Sequence, residues 1–116
     1  MSRVRIVVVP VAVAITLLLA AAAAKAEPFY PPPASVRADI CAAFGRYCDQ
    51  AVKVAWCEGR YKTYAQNGQY LGTFQMGSSE RRRYGHSSTV RGQDAAAARY
   101  FFASGADWSP WECKPW

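Results

Sequence analysis

The spacing of apolar positions changes several times along this chain, and each change marks an element. Residues 6–24 are almost continuously apolar behind Arg3 and Arg5, and Ala24-Lys25-Ala26 supplies a small-x-small site. Residues 1–26 therefore read as a cleavable targeting segment. A retained anchor is the competing reading, and Pro10 within the run argues against it. Residues 27–34 carry Pro28 and Pro31-Pro32-Pro33 and read as an extended, poorly packed leader. Helical spacing then begins. Ser35 is placed to cap a helix whose apolar side holds Val36, Ile40 and Phe44, with Gly45 as its end. Asp49 is placed to cap a second helix through Ala51, Val52, Val54, Ala55 and Trp56, ending near Glu58 with Gly59 as its stop.

From Tyr61 to Phe74 the helical period is lost. Gln66-Asn67-Gly68-Gln69 predicts an irregular β-hairpin with Asn67 and Gly68 as its central pair, since both tolerate positive φ. Ser78 and Ser79 are placed to cap a brief helix carrying Glu80, Arg81, Arg82 and Arg83, closed by Gly85. An alanine-rich run from Val90 to Ser104 predicts the longest helix, with Ala95, Ala98 and Phe102 facing inward and Gly105 as its end. Asp107 to Trp111 is a final turn, with Pro110 suited to the first position of a helical turn. No internal repeat is visible. The expectation is one mainly α domain over residues 35–116 with one short hairpin.

Composition narrows the setting. Loss of residues 1–26 leaves 90 residues, enough for a single compact domain. It also removes Arg3, Arg5 and Lys25, lowering the net charge from +6 to +3. So mild a charge argues against nucleic acid as the target, and no basic amphipathic helix points to a membrane-active peptide. It suits an anionic polymer such as a bacterial wall. Cys41, Cys48, Cys57 and Cys113 in an exported chain read as two disulfides, for which three pairings are open. Cys41–Cys48 and Cys57–Cys113 are favoured, because the first closes a tight local loop and the second ties the segment of Glu58 to the C-terminus. Zinc is disfavoured by the spacings and by a single histidine, His86, which reads as a loop residue. No metal or cofactor is expected, and the mature chain is expected to be monomeric, without stable membrane association.

Glu58 is the candidate for chemistry. At the C-terminal end of a helix a negative charge is disfavoured by about 0.3–1 kcal/mol. Burial beside Trp56, Tyr70 or Phe74 would also favour the neutral acid, so both effects act in the direction a general acid needs. The bland reading is a solvated glutamate at a helix end. Gln75 is a candidate hydrogen-bond donor to a ligand, or equally a brace for the hairpin. Tyr64, Tyr70 and Phe74 could form an aromatic wall, though aromatics in so small a domain serve the core first. Asn67 is a candidate contact whose first role is turn chemistry. Trp108 and Trp111 read as core, and Arg81-Arg82-Arg83 as a solvated face with some attraction for an anionic polymer.

Three motifs carry a resemblance: Cys57-Glu58, Gly72-Thr73-Phe74-Gln75, and Gln93 through Trp108-Ser109-Pro110-Trp111-Glu112-Cys113. From Cys41 to Cys113 the chain resembles the small lysozyme-like domains of actinobacterial secreted proteins. It is similar to resuscitation-promoting factors and, more distantly, to soluble lytic transglycosylases. The chain departs from the family pattern at Gly59, where serine is frequent, and at Thr73, where leucine is usual. The resemblance implies a secreted, wall-associated enzyme that cleaves β-1,4 bonds between N-acetylmuramic acid and N-acetylglucosamine. Glu58 would be its acid, with Gln75, Tyr70, Phe74, Asn67 and Tyr64 toward the glycan. Hydrolysis needs a second carboxylate, about 5–5.5 Å away for retention or 6.5–9.5 Å for inversion. Asp49, Glu80, Asp94, Asp107 and Glu112 are the candidates, none in a segment that obviously faces Glu58. A lytic transglycosylase needs no such partner, which slightly favours that route. A wall-binding or signalling module with little turnover is the alternative.

Overall fold

The computed structural model describes residues 28–116, so the expected targeting segment, with Glu27, lies outside the described residues. Helix α1 spans Ala34–Phe44, a 3-10 turn spans Gly45–Tyr47, and helix α2 spans Cys48–Gly59. Strands β1 (Gln66–Asn67) and β2 (Tyr70–Leu71) follow, then helices α3 (Ser78–Tyr84) and α4 (Val90–Ala103). The architecture is mainly helical, with a short two-stranded antiparallel sheet and two disulfides. No helix among the described residues is long and apolar enough to cross a membrane.

The helices form where the apolar spacing, and for α3 the flanking serines and Gly85, place them, but their caps differ. Ser35 is not a cap: Pro33 precedes α1, and its carbonyl accepts from Arg37 N at 3.0 Å. A proline there loses nothing, because the amide it lacks would have had no helical partner. Asp49 lies in the first turn of α2, with Tyr47 ahead of the helix, because the 3-10 turn runs straight into it. The carboxylate still favours the helix start and pairs with exposed Arg37. Ser78 and Ser79 do not cap α3 either. Ser78 donates from both N and Oγ to Gln69 Oε1, each at 3.2 Å, which ties the helix to the hairpin loop.

The inner face of α4 also differs from expectation. Asp94, Ala96, Ala97 and Phe101 are buried, whereas Ala95 is partly exposed and Phe102 is exposed. Small residues there let α4 lie close to α1, and Ala51 and Ala55 do the same for α2. Phe44 is the hub of the core, with ring centroids 5.3 Å from Phe74, 5.7 Å from Phe101 and 5.6 Å from Trp108. Cys41–Cys48 staples α1 to α2, and Cys57–Cys113 closes a sequence separation of 56 residues. By the chain-entropy model a loop that long stabilises by about 4 kcal/mol. The leader, expected to pack poorly, is docked. Pro28 O accepts from Trp56 Nε1 at 3.0 Å, Tyr30 O accepts from the Tyr61 hydroxyl, and the Tyr30 and Trp56 rings meet edge to face at 5.4 Å.

Candidate active-site cleft

The end of α2 is shaped by what it must approach. Gly59 is not a stop: the helix runs through it, and Arg60, at φ 53 and ψ 36, is the left-handed cap. Glycine is required at 59 because a Cβ would lie 2.6 Å from Gly72 O and 2.8 Å from Thr73 O. The helix end thus presses directly on the backbone that follows β2. That backbone is itself held from behind by Gln93, a buried residue with 1% exposure. Gln93 Oε1 accepts from Thr73 N at 2.9 Å and from Thr73 Oγ1 at 3.2 Å, while its Nε2 donates to Thr63 O at 2.9 Å. Gly59 and Thr73 are therefore structurally linked. Gly59 admits the loop, and Thr73 supplies the hydroxyl that bonds Gln93.

The hairpin lies one residue off the expected turn. Gln66 pairs with Leu71 and Asn67 with Tyr70, leaving Gly68 and Gln69 as the loop. Only Gly68 has positive φ, at 62°, which is the pattern of a type II′ turn rather than the Asn-Gly type I′. Leu71 also bridges Met76, with N–H···O distances of 3.1 and 3.2 Å, so 72–75 close as a second tight turn. Gln75 sits in that turn at φ 47. Its Nε2 donates to Ala65 O at 2.9 Å and to Gly72 O at 3.0 Å. With both amide protons used on backbone, Gln75 braces the hairpin, and what it can offer a ligand is its Oε1 as acceptor, not the expected donor.

Glu58 opens onto a cleft of about 350 Å³, with Asn67, Tyr70, Gln75 and Met76 on the hairpin side. Gln69, Gly77, Ser79, Glu80 and Tyr100, with Pro110, Trp111 and Glu112, complete its lining. The Cys113 amide donates to Glu58 Oε2 at 3.0 Å. Burial pushes the Glu58 carboxyl above the ordinary glutamate range. The Cys113 hydrogen bond works against that shift, and the nearby Glu112 charge reinforces it. The apolar neighbours differ from those expected. Trp56 faces the leader and Tyr61 instead, and Phe74 is a core residue with 1% exposure, packed on Phe44. Tyr64, 74% exposed, lies outside the cleft, on the other side of the hairpin. Of the five expected substrate contacts, Gln75, Tyr70 and Asn67 share the cleft with Glu58.

Two carboxylates that had no obvious reason to face Glu58 do share its cleft, Glu80 and Glu112. The other candidates are committed elsewhere. Asp49 pairs with Arg37, and Asp107 Oδ1 accepts from Ser109 N at 2.9 Å. Asp94 is fully buried, neither oxygen has a hydrogen-bond partner among the described residues, and burial with the Asp39 charge pushes its carboxyl up to about 7. The residues that hold the cleft but went unrecognised as such are Gln93 and the Cys113 amide. For Gln93 a signal existed: a glutamine in the middle of an alanine-rich inward face needs a polar partner. Comparisons with protein-family models, with curated proteins and with solved structures found no match.

Proposed function

We propose that this chain is a lysozyme-like enzyme, exported to the cell wall, that cleaves the β-1,4 bond between N-acetylmuramic acid and N-acetylglucosamine in peptidoglycan. The observation that carries this reading is the setting of Glu58. Its carboxyl is half-buried, displaced toward the neutral form, and open to a cleft lined mainly by amides, two tyrosines, a serine and two further acids, with Met76, Pro110 and Trp111 among them. Such a lining suits a chain of hydroxyls and N-acetyl groups. The two disulfides fit maturation outside a reducing compartment.

In this mechanism the Glu58 proton passes to the glycosidic oxygen as its bond to C1 breaks. Positive charge then develops on the ring, and the Glu80 and Glu112 carboxylates that share the cleft favour it. The Glu58 carboxylate next takes the proton of the muramic 6-hydroxyl as that oxygen closes on C1, which gives a 1,6-anhydro product. Alternatively it takes the proton of water, which gives a reducing end. Because the acid must start protonated, activity falls as pH rises through the raised pKa of Glu58. The opposing hydrogen bond from Cys113 favours a second reading, a wall-binding module with little turnover, since it stabilises the carboxylate. Zymography on purified wall with wild type and Glu58→Gln separates them. Clearing by wild type alone supports the enzyme; clearing by both removes Glu58 from its role, and clearing by neither favours the module. Mass analysis of the products distinguishes anhydro from reducing ends.

A further inference from the structure

The hairpin separates two openings of unlike charge. Successive strand residues face opposite sides, so Tyr70 lines the cleft while Leu71 lines a second depression behind it. Helix α3 is divided in the same way. Ser79 and Glu80 belong to the cleft, whereas Ser78, Arg81 and Arg82 belong to the depression, with His86, Ser87 and Ser88 beyond the helix end. Three carboxylates line the first opening; no carboxylate and two arginines line the second. The arginines differ in what they do. Arg81 is anchored by its Nη1 to the carbonyls of Gln69 and Met76, so its charge is fixed in place. Arg82 is exposed and makes no ion pair among the described residues, while Arg83 lies over the ring of Tyr84, 5.6 Å from its centroid.

We propose that the depression bounded by Arg81, Arg82, His86 and Ser87 is a binding site for carboxylates, occupied by the acidic stem peptide of peptidoglycan while its glycan lies in the Glu58 cleft. The proposal rests on the peptidoglycan reading above and adds to it the part of the substrate that the cleft does not account for. Muramic acid carries its peptide on a lactyl arm, and an extended stem of five residues reaches about 17 Å. Strands of a hairpin are about 4.8 Å apart, so such a stem can cross the rim from one opening to the other. A guanidinium fork with hydroxyls beside it matches a carboxylate in geometry as well as charge. Glu58, Glu80 and Glu112 disfavour the same carboxylates in the cleft, which gives the substrate a direction.

The test is amide chemical-shift titration of the oxidised chain carrying Glu58→Gln, so that nothing is cleaved. The probes are a soluble disaccharide pentapeptide and the same disaccharide without peptide. The expected result is that both move cleft amides, that only the peptide-bearing probe moves those of Arg82, His86 and Ser87, and that it binds about tenfold more tightly. Arg82→Gln removes that tenfold advantage and Arg82→Lys restores part of it, while Arg83→Gln, one residue along, leaves it intact. Equal affinity for the two probes, or equal loss in the Arg82 and Arg83 variants, overturns the proposal while leaving cleft binding standing. Failure of either probe to move cleft amides counts against the peptidoglycan reading itself and takes this proposal with it. Tighter occupancy of the depression by poly(glycerol phosphate) than by the pentapeptide probe also overturns it, since the site then serves wall phosphates.

Discussion

Replacing Gly59 with alanine sets two local effects against each other, and the geometry decides between them. Inside a helix alanine is better than glycine by about 1 kcal/mol, and Gly59 is the last helical residue of α2, where only part of that gain applies. The new Cβ, however, would lie 2.6 Å from Gly72 O and 2.8 Å from Thr73 O, both backbone atoms. The loop has little room to retreat. Thr73 is bonded twice to Gln93, and a Cβ at Gly72 would already be 2.4 Å from Gln93 Oε1. Overpacking against such a wall costs about 1–3 kcal/mol. The expected balance is a loss of about 1–2 kcal/mol, which in a domain this size lowers Tm by about 5–15 °C. Thermal unfolding of the oxidised chain, followed by circular dichroism, measures it. Serine at 59, which carries the same Cβ, is expected to be no better tolerated. An alanine variant that melts at or above the wild-type temperature would refute the claim that helix and loop are in contact through this glycine.

Two further predictions concern buried polar groups. Gln93→Ala removes the partner of Thr73 N, Thr73 Oγ1 and Thr63 O, and is expected to cost about 2–4 kcal/mol in denaturant unfolding, with Gln93→Glu failing to rescue it. Asp94 has its carboxyl raised from 3.8 to about 7, so the folded state holds a proton that the unfolded state releases. Its contribution is complete below the unfolded value and is lost as pH rises to the folded one, at up to about 1.4 kcal/mol per pH unit. Stability measured between pH 4 and 7 should fall with that slope in wild type and lose it in Asp94→Asn; an unchanged slope would show that Asp94 is already ionised.

What the sequence made legible was local. Apolar spacing located α1, α2 and α4, flanking serines and Gly85 marked α3, and Gly45 and Gly85 end α1 and α3 at positive φ as expected. The alanine-rich stretch fixed the length of α4 but not its inner face, because alanine offers no contrast between a buried and an exposed side. Phe101 and Phe102, adjacent and alike, differ only in which one Trp108 and Phe44 can reach. Asn67-Gly68 signalled a turn correctly, but Leu71, paired with Gln66 on one side and Met76 on the other, sets a register that makes Gly68 the first loop residue. The cleft was less legible than the helices. Its acid stands out from helix position, whereas its other features join residues far apart in sequence. Gly59 meets Gly72, Thr73 meets Gln93, and Glu58 meets Cys113. Each needs the tertiary fold before either member has a meaning.

The bond between Cys57 and Cys113 has a consequence for when the surroundings of Glu58 are assembled. One sulfur belongs to the residue just before the acid, and the other belongs to the residue whose amide touches it. Sealing the fold and furnishing the acid's surroundings are thus a single covalent event. Without that bond Glu112 and Cys113 lose their covalent tether to α2, while Trp111 is held separately by its hydrogen bond to Phe74 O at 3.0 Å. The covalent link, and the surroundings it gives Glu58, are complete only once both thiols are oxidised.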